Sequence, residues 1–197
     1  MPRLTRAENS ERIRERLVAT AMTLFLRDGF AATSLDAIAN EAGYSKGAVY
    51  SNFRNKDDLC LAVLDRIHAE QTGRIAEAMG GARTVEERLT AFERWAESNI
   101  GDEAWTSLEV EFAFSAGRDP RIRAELSERD RAVRGMVAAL VEANAGEFGI
   151  SLPMPAEDVA TALLSLGIGL GVQRALDPSV PVSVLTGTIR IMLGARS

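Results

Sequence analysis

The chain has 197 residues, 46% of them apolar, and carries 23 Lys+Arg against 28 Asp+Glu for a net charge of -5. That length and apolar content supply a core for one large domain, or for a small module joined to a larger one, so disorder is not the default reading. The longest uncharged apolar run, residues 159–172, is short of the ~20 residues needed to cross a bilayer, the basic polar N-terminus lacks an apolar signal stretch, and the lone Cys60 excludes an intramolecular disulfide framework, so the expected setting is cytoplasmic with no membrane partner.

Apolar residues at Ile13, Leu17, Ala21, Leu24 and Phe25 make a helical stripe over residues 10–28, with Gly29 as a left-handed stop. Thr33-Ser34-Leu35-Asp36 reads as an acidic capping box, followed by Leu35, Ile38, Ala39 and Ala42 at helical spacing until Gly43 interrupts. Ser45 is placed to cap a third helix over 46–53, with Val49 and Phe53 inward. Asn55 caps a long connector to about residue 78, with Leu59, Val63 and Ile67 inward, which "MGGAR" ends. A Thr84-x-x-Glu87 box opens 85–100, a further helix spans 103–116, and Pro120 takes the first helical position of 120–145. Helices over 156–176 and 181–193 close the chain. Every proline lies outside the periodic segments and few alternating runs occur, so the predicted fold is all-α with about nine helices. An N-terminal three-helix module (1–55) is joined by the connector helix to a C-terminal helical region (56–197).

Charge is distributed unevenly along this plan. Residues 1–58 hold nine basic against eight acidic side chains, whereas the remainder holds fourteen against twenty. Both lysines of the chain, Lys46 and Lys56, fall within residues 42–56 with Arg54, and that window has no carboxylate. Two short helices about a Gly43 turn are the geometry of a helix-turn-helix, whose second helix enters the DNA major groove. Thr33 and Ser34 at a helix N-terminus are suited to a phosphate oxygen. Lys46 and Asn52 carry groups that read guanine and adenine edges, Ala48 fits a thymine methyl, and Gly47 permits close approach. Tyr50 and Lys56 are suited to flanking phosphates. By residue chemistry alone a solvated helix pair remains an equal reading, as does a frayed tail for the arginines at Arg3 and Arg6, which would otherwise track a groove as homeodomain arms do.

The stretch "FAATSLDAIANEAGYSKGAVYSNFRNKDDL" resembles the N-terminal domain of the tetracycline-repressor (TetR) family of bacterial transcriptional regulators. It has Ala39 and Gly43 at the helix-turn-helix positions, followed by Ser45-Lys46-Gly47, Val49-Tyr50, Phe53 and Asn55-Lys56 in the family's spacing. The resemblance covers about a quarter of the chain; the remainder has a similar helix count but no diagnostic motif. It implies Thr33 or Ser34, Tyr50 and Lys56 as phosphate contacts and Lys46, Gly47, Ala48 and Asn52 at base-reading positions. Tyr44 stands where a small aliphatic is commoner and Asn52 where an imidazole is frequent, so no relative's operator sequence transfers.

One short recognition helix reads few bases, so a dimer on a near-palindromic double-stranded operator is expected. The last two helices have long uncharged stretches and call for a second buried face. Leu163, Gly167, Leu170, Gly171, Arg174, Leu185 and Ile189 are the expected interface, and the resemblance implies an intersubunit four-helix bundle there. Gly167, Gly169 and Gly171 do not form a dinucleotide fingerprint, because Val172 occupies the third glycine's place and no strand precedes them. In the middle helices, Phe92, Trp95, Trp105, Phe112, Phe114 and Met136 with polar Asn99 and Ser115 describe either a core or an apolar pocket for a small-molecule effector; the family implies the pocket.

No catalytic, metal or cofactor site is expected. His68 is the only histidine, which leaves no triad or His-based metal cluster, and it is expected as a half-exposed surface residue. Cys60 is expected as a buried, inert thiol. Glu109 and Glu111 diverge around their helix, so at least one should be a solvated side chain. The expected function is a DNA-binding transcriptional regulator, a repressor released by a small, largely apolar effector. An all-α carrier or enzyme with a vestigial N-terminal module is the rival, and a nonspecific DNA-architectural protein a third reading.

Overall fold

The computed structural model describes residues 5–116 and 118–193. Among these, regular structure is helical throughout: α1 (Arg6–Asp28), α2 (Leu35–Ala42), α3 (Lys46–Asn52), α4 (Lys56–Met79), α5 (Val85–Asn99), α6 (Glu103–Ala116), α7 (Pro120–Phe148), α8 (Ala156–Leu176) and α9 (Ser183–Met192). The expected all-α architecture is thus observed. Arg3 lies outside the described residues.

The local signals act largely as read. Ser34, Ser45 and Thr84 accept from the backbone N–H three residues on, and Asn55 Oδ1 accepts from Asp58 N at 2.8 Å. Such bonds satisfy donors that a helix N-terminus leaves unpaired. The turn between α2 and α3 is a Schellman stop: Tyr44 N donates to Ala39 O, Gly43 N to Asn40 O, and Gly43 sits at φ 76°, ψ 29°. Three expectations need correction. The box read over residues 33–36 does not form, because Ser34 rather than Thr33 caps α2 and the Asp36 carboxylate pairs with Lys46. Gly29 adopts φ 86°, ψ 159° rather than the left-handed helical conformation. And α1 begins at Arg6 rather than near residue 10, because Thr5 and Glu8 form a reciprocal capping box at 3.2 and 2.7 Å.

Packing divides the chain into two units, 1–70 with 107–123, and 71–106 with 124–197. In the first, α1 contributes Leu17, Ala21, Leu24 and Phe25, α2 Ile38 and Ala39, α3 Val49, and α4 Leu59, Val63 and Ile67, all buried. The second half of α6 joins this unit: Phe112 is fully buried with its ring edge-on to Phe30 at 5.1 Å, and Glu111 accepts from Ala31 N at 3.1 Å.

In the second unit, Ala96 of α5, Leu170 of α8 and Val182 and Leu185 beside and within α9 form a buried cluster. Ala138 of α7 packs with Ala156 and Ala160 of α8 in another. Arg174 ties the α5–α6 turn to α8, donating to Ile100 O at 2.8 Å and Glu97 O at 3.3 Å and also binding Val180 O. The approach is so close at Gly101 (φ 88°) that a Cβ there would lie 2.3 Å from the Arg174 Cβ. By length and composition α8 is apolar enough to cross a membrane, but its apolar side chains split between these clusters and an exposed stripe.

Candidate nucleic-acid interface

α3 is only 7 residues long, so its two faces are sharply divided. Val49 and the flanking Phe53 are buried, whereas Lys46, Gly47, Tyr50 and Ser51 are exposed on the opposite side, Tyr50 at 52%. Val49 and Phe53 are four apart and enter the core, so the residues at the start of the helix and one turn later are pushed outward together. Ala48 is half-buried beside them. Ser51 shares this face and was not among the expected contacts.

The expected DNA contacts divide into outward and inward groups. Ser34 is exposed at the N-terminus of α2, its hydroxyl accepting from Ala37 N at 3.1 Å. Thr33, by contrast, is 4% exposed, and its hydroxyl donates to Gly29 O at 2.8 Å. A phosphate cannot reach it, because the hydroxyl holds the end of α1 to the start of α2. Lys56 is also turned inward. Its ammonium donates to Phe30 O at 2.9 Å, Thr33 O at 3.1 Å and Ala31 O at 3.4 Å, and stands 4.3 Å from the centroid of the Phe30 ring. The α1–α2 turn presents three carbonyls in one direction, and Lys56 at the start of α4 neutralises them. Asn52 is half-buried with its amide donating to Ala48 O at 2.8 Å, one turn back along its own helix.

Lys46 is exposed, and its ammonium lies 2.8 and 2.9 Å from the two carboxylate oxygens of Asp36. That pair holds the Lys46 pKa above its ordinary value, through the hydrogen bond first and the charge of Asp36 second. Arg54 binds Asp58 at 2.6 Å, and Arg121 reaches the same carboxylate at 2.9 Å. The two guanidiniums outweigh burial and hold the Asp58 carboxyl below its ordinary range. The window 42–56 has no carboxylate of its own; in three dimensions Asp36 and Asp58 supply them from the helices on either side.

Elsewhere in this unit, His68 is partnered by Glu109, and that hydrogen bond raises the imidazole pKa against the opposing effect of burial. Glu109 on His68 and Glu111 on Ala31 N are both half-exposed side chains that also have a partner within the protein. Cys60 is fully buried, and desolvation pushes its thiol far above the ordinary range. Among the described residues no group of three or more His, Cys, Asp or Glu is placed to hold a metal ion.

The expected pocket residues belong partly to each unit. Phe112 is core to the first unit, whereas Phe114 and Ser115 of the same unit are exposed, Phe114 at 78%. In the second unit Phe92 and Trp95 stack at 5.4 Å against the α5–α8–α9 cluster, Trp95 donates to Gln71 at 3.2 Å, and the Asn99 amide donates to Trp95 O. The indole nitrogen of Trp105 is buried with no hydrogen-bond partner, and Met136 is 47% exposed. A cleft in the first unit, lined by Val18 and Ala62 but also by Glu11, Arg14, Glu15, Asp65 and Arg66, is too charged for an apolar ligand.

The expected dimer-interface residues largely serve their own subunit. Leu170 and Leu185 are 3% exposed in the core cluster, Gly171 is buried, and Arg174 is spent on backbone carbonyls. Leu163 and Ile189 pack onto the same cluster, and Gly167 is half-buried. The apolar face left outside is offset around α8 at Ile168, Val172 and Leu176, exposed at 61%, 36% and 84%, with Val184 and Ile191 on α9. The hydrophobicity of these helices was legible, but which side faces out was not, since both sides are apolar.

Residues 17–63 match the family model for bacterial regulatory proteins of the tetR family, and residues 85–192 match that for the C-terminal domain of BetI-type transcriptional repressors. The nicotine-responsive transcriptional repressor HdnoR of Paenarthrobacter nicotinovorans is 27% identical over 175 residues, covering 85% of this chain and 86% of the relative. The uncharacterized regulator YerO of Bacillus subtilis is 37% identical over 76 residues, 39% of this chain and only 24% of that protein. A solved transcriptional-regulator structure from Rhodococcus sp. RHA1 shares the fold at a TM-score of 0.78 with 18% identity, over 94% of this chain and 97% of that one. With an outward-facing helix-turn-helix at its N-terminus and family matches over both segments, the chain belongs to the TetR family of bacterial, DNA-binding transcriptional regulators.

Proposed function

We infer that this TetR-family protein is a cytoplasmic homodimer that represses transcription by occupying a near-palindromic operator and leaves it on binding a small, largely apolar effector. The observation that carries the reading is the exposed face of α3, where Lys46, Gly47, Tyr50 and Ser51 stand together while Val49 is buried. A helix held by its apolar side with its polar side outward is what insertion into a major groove requires. In this reading Lys46, Gly47 and Ala48 meet base edges, with Asn52 at the rim, and Tyr50 and Ser34 meet phosphates. Thr33 and Lys56 brace the turn behind them. Residues up to about 55 read DNA, and those beyond serve dimerisation and effector binding.

Two such modules must be held at a fixed spacing. The exposed stripe of α8 and α9 is suited to that, because Ile168, Val172 and Leu176 recur every four residues on one helix face. An effector acts through its difference in affinity for DNA-competent and DNA-incompetent states. Full-length similarity to a repressor named for its response to nicotine supports ligand release here, and the Phe92–Trp95 stack is a candidate contact for an apolar ligand.

The test is to sequence the genomic fragments retained by the purified protein and repeat binding with Lys46→Ala and Tyr50→Phe. A recovered near-palindrome is expected, with Lys46→Ala relaxing base preference and Tyr50→Phe weakening all sequences alike. Retention of DNA without a preferred sequence, or variants that bind as the parent does, would refute it. For repression and release, a reporter driven by the recovered operator should be silenced by the protein and relieved by a compound that lowers operator affinity in vitro.

A further inference from the structure

All three cations of residues 42–56 are engaged within the protein. Lys56 is held by the carbonyls of the α1–α2 turn and Arg54 by the largely buried Asp58. Lys46 differs, because its partner Asp36 is as exposed as it is, at 56% and 57% of side-chain surface. Asp36 lies in the first turn of α2 and Lys46 in the first turn of α3. A carboxylate is therefore placed beside the one ammonium on the exposed face of α3. That carboxylate cancels the ammonium's charge where a phosphate backbone would approach, which makes it a costly feature for affinity alone.

The chemistry of sharing an ammonium explains what such a carboxylate does. Lysine has three N–H donors. Two point at a carboxylate whose oxygens lie 2.8 and 2.9 Å away, and the third remains available to an acceptor that can come close without charge repulsion. A neutral base edge such as guanine O6 or N7 is of that kind. A phosphate is not, because two anions would have to crowd the same ammonium in a solvent-exposed site.

We propose that Asp36 is a specificity-determining residue of the DNA-reading head: its carboxylate denies Lys46 to phosphates while leaving it a donor for base edges. This role rests on Lys46 facing the bases, as proposed above. Nonspecific DNA then gains nothing from Lys46, whereas the operator does.

The experiment compares wild type, Asp36→Asn, Lys46→Gln and the double variant, each full length. Affinities for an operator duplex recovered from retained fragments and for a random duplex of equal length are measured across a series of KCl concentrations. In Asp36→Asn the operator-to-random affinity ratio should fall by about five- to tenfold, chiefly through tighter random binding, whose salt slope steepens by about 0.9 as Lys46 gains a phosphate. In the Lys46→Gln background the same substitution should leave the ratio unchanged. A ratio that stays constant in Asp36→Asn, with both duplexes bound more tightly, would mean that Asp36 acts only through net charge and overturns the proposal. An equal fall in both backgrounds would mean that α2 has been disturbed and overturns it too. If Lys46→Gln itself leaves the wild-type ratio intact, the base-reading role of Lys46 fails and Asp36 fails with it, whereas a ratio lowered by Lys46→Gln but not by Asp36→Asn defeats the Asp36 role alone.

Discussion

Replacing Lys56 with methionine separates a structural brace from a DNA contact. Methionine keeps most of the apolar stem and removes the ammonium, so the carbonyls of Phe30, Ala31 and Thr33 lose their donor and the Phe30 ring loses its cation. Two of the three hydrogen bonds are well formed, at 2.9 and 3.1 Å. A hydrogen bond to a charged group contributes about 1.5–3 kcal/mol in favourable settings, and a half-exposed cation over a ring about 0.5–1 kcal/mol. Water can reach part of the vacated turn and the terms are not additive, so a net loss of about 2–3 kcal/mol is expected. For a chain of this size that lowers Tm by about 5–10 °C. Thermal melts without DNA give the stability, and operator binding well below the lowered Tm gives the salt slope. Destabilisation with an unchanged salt slope is expected. A variant that melts like the parent but binds DNA with a slope shallower by about 0.9, the signature of one lost phosphate contact, would refute this account of Lys56.

Gly101→Ala should destabilise by about 2–4 kcal/mol, because the new Cβ must displace the Arg174 Cβ, 2.3 Å away, from a backbone at φ 88° that alanine disfavours; urea unfolding checks this, and a midpoint unchanged from the parent would contradict the close approach. The His68 pKa is raised by Glu109, so the associated stability is fully present below the unfolded-state value of about 6.5 and is lost as pH rises through the elevated folded value; denaturant midpoints from pH 5.5 to 9 should show that decline in the parent and not in His68→Gln. Ile168→Glu, placed on the exposed stripe of α8, should leave the helical spectrum intact and shift sedimentation from dimer to monomer, with operator affinity reduced at least tenfold if paired half-sites are needed; a dimer that persists would place the interface elsewhere.

The helices were legible because their determinants lie within a few residues of one another. Ser34, Ser45, Asn55 and Thr84 each cap a helix three residues on, and the Gly43 turn closes with bonds no longer than five residues. Even the start of α1, which apolar periodicity alone places near residue 10, is written locally in Thr5 and Glu8. The positions that interrupt or bury α3 followed from periodicity, so its exposed face was foreseeable too.

What each polar side chain holds was not readable in the same way. Lys56 reaches carbonyls up to 26 residues earlier, Glu111 an amide 80 residues earlier, and Arg174 a carbonyl 74 residues earlier. Such pairings depend on which surfaces the helices bring together. The sequence by itself determined an all-helical chain with a helix-turn-helix near its N-terminus, since capping and periodicity are short-range interactions. Only the tertiary structure decided that Lys56 and Thr33 brace that module from within and that Asp36 stands beside Lys46, because charge partners ten or more residues apart are chosen by packing.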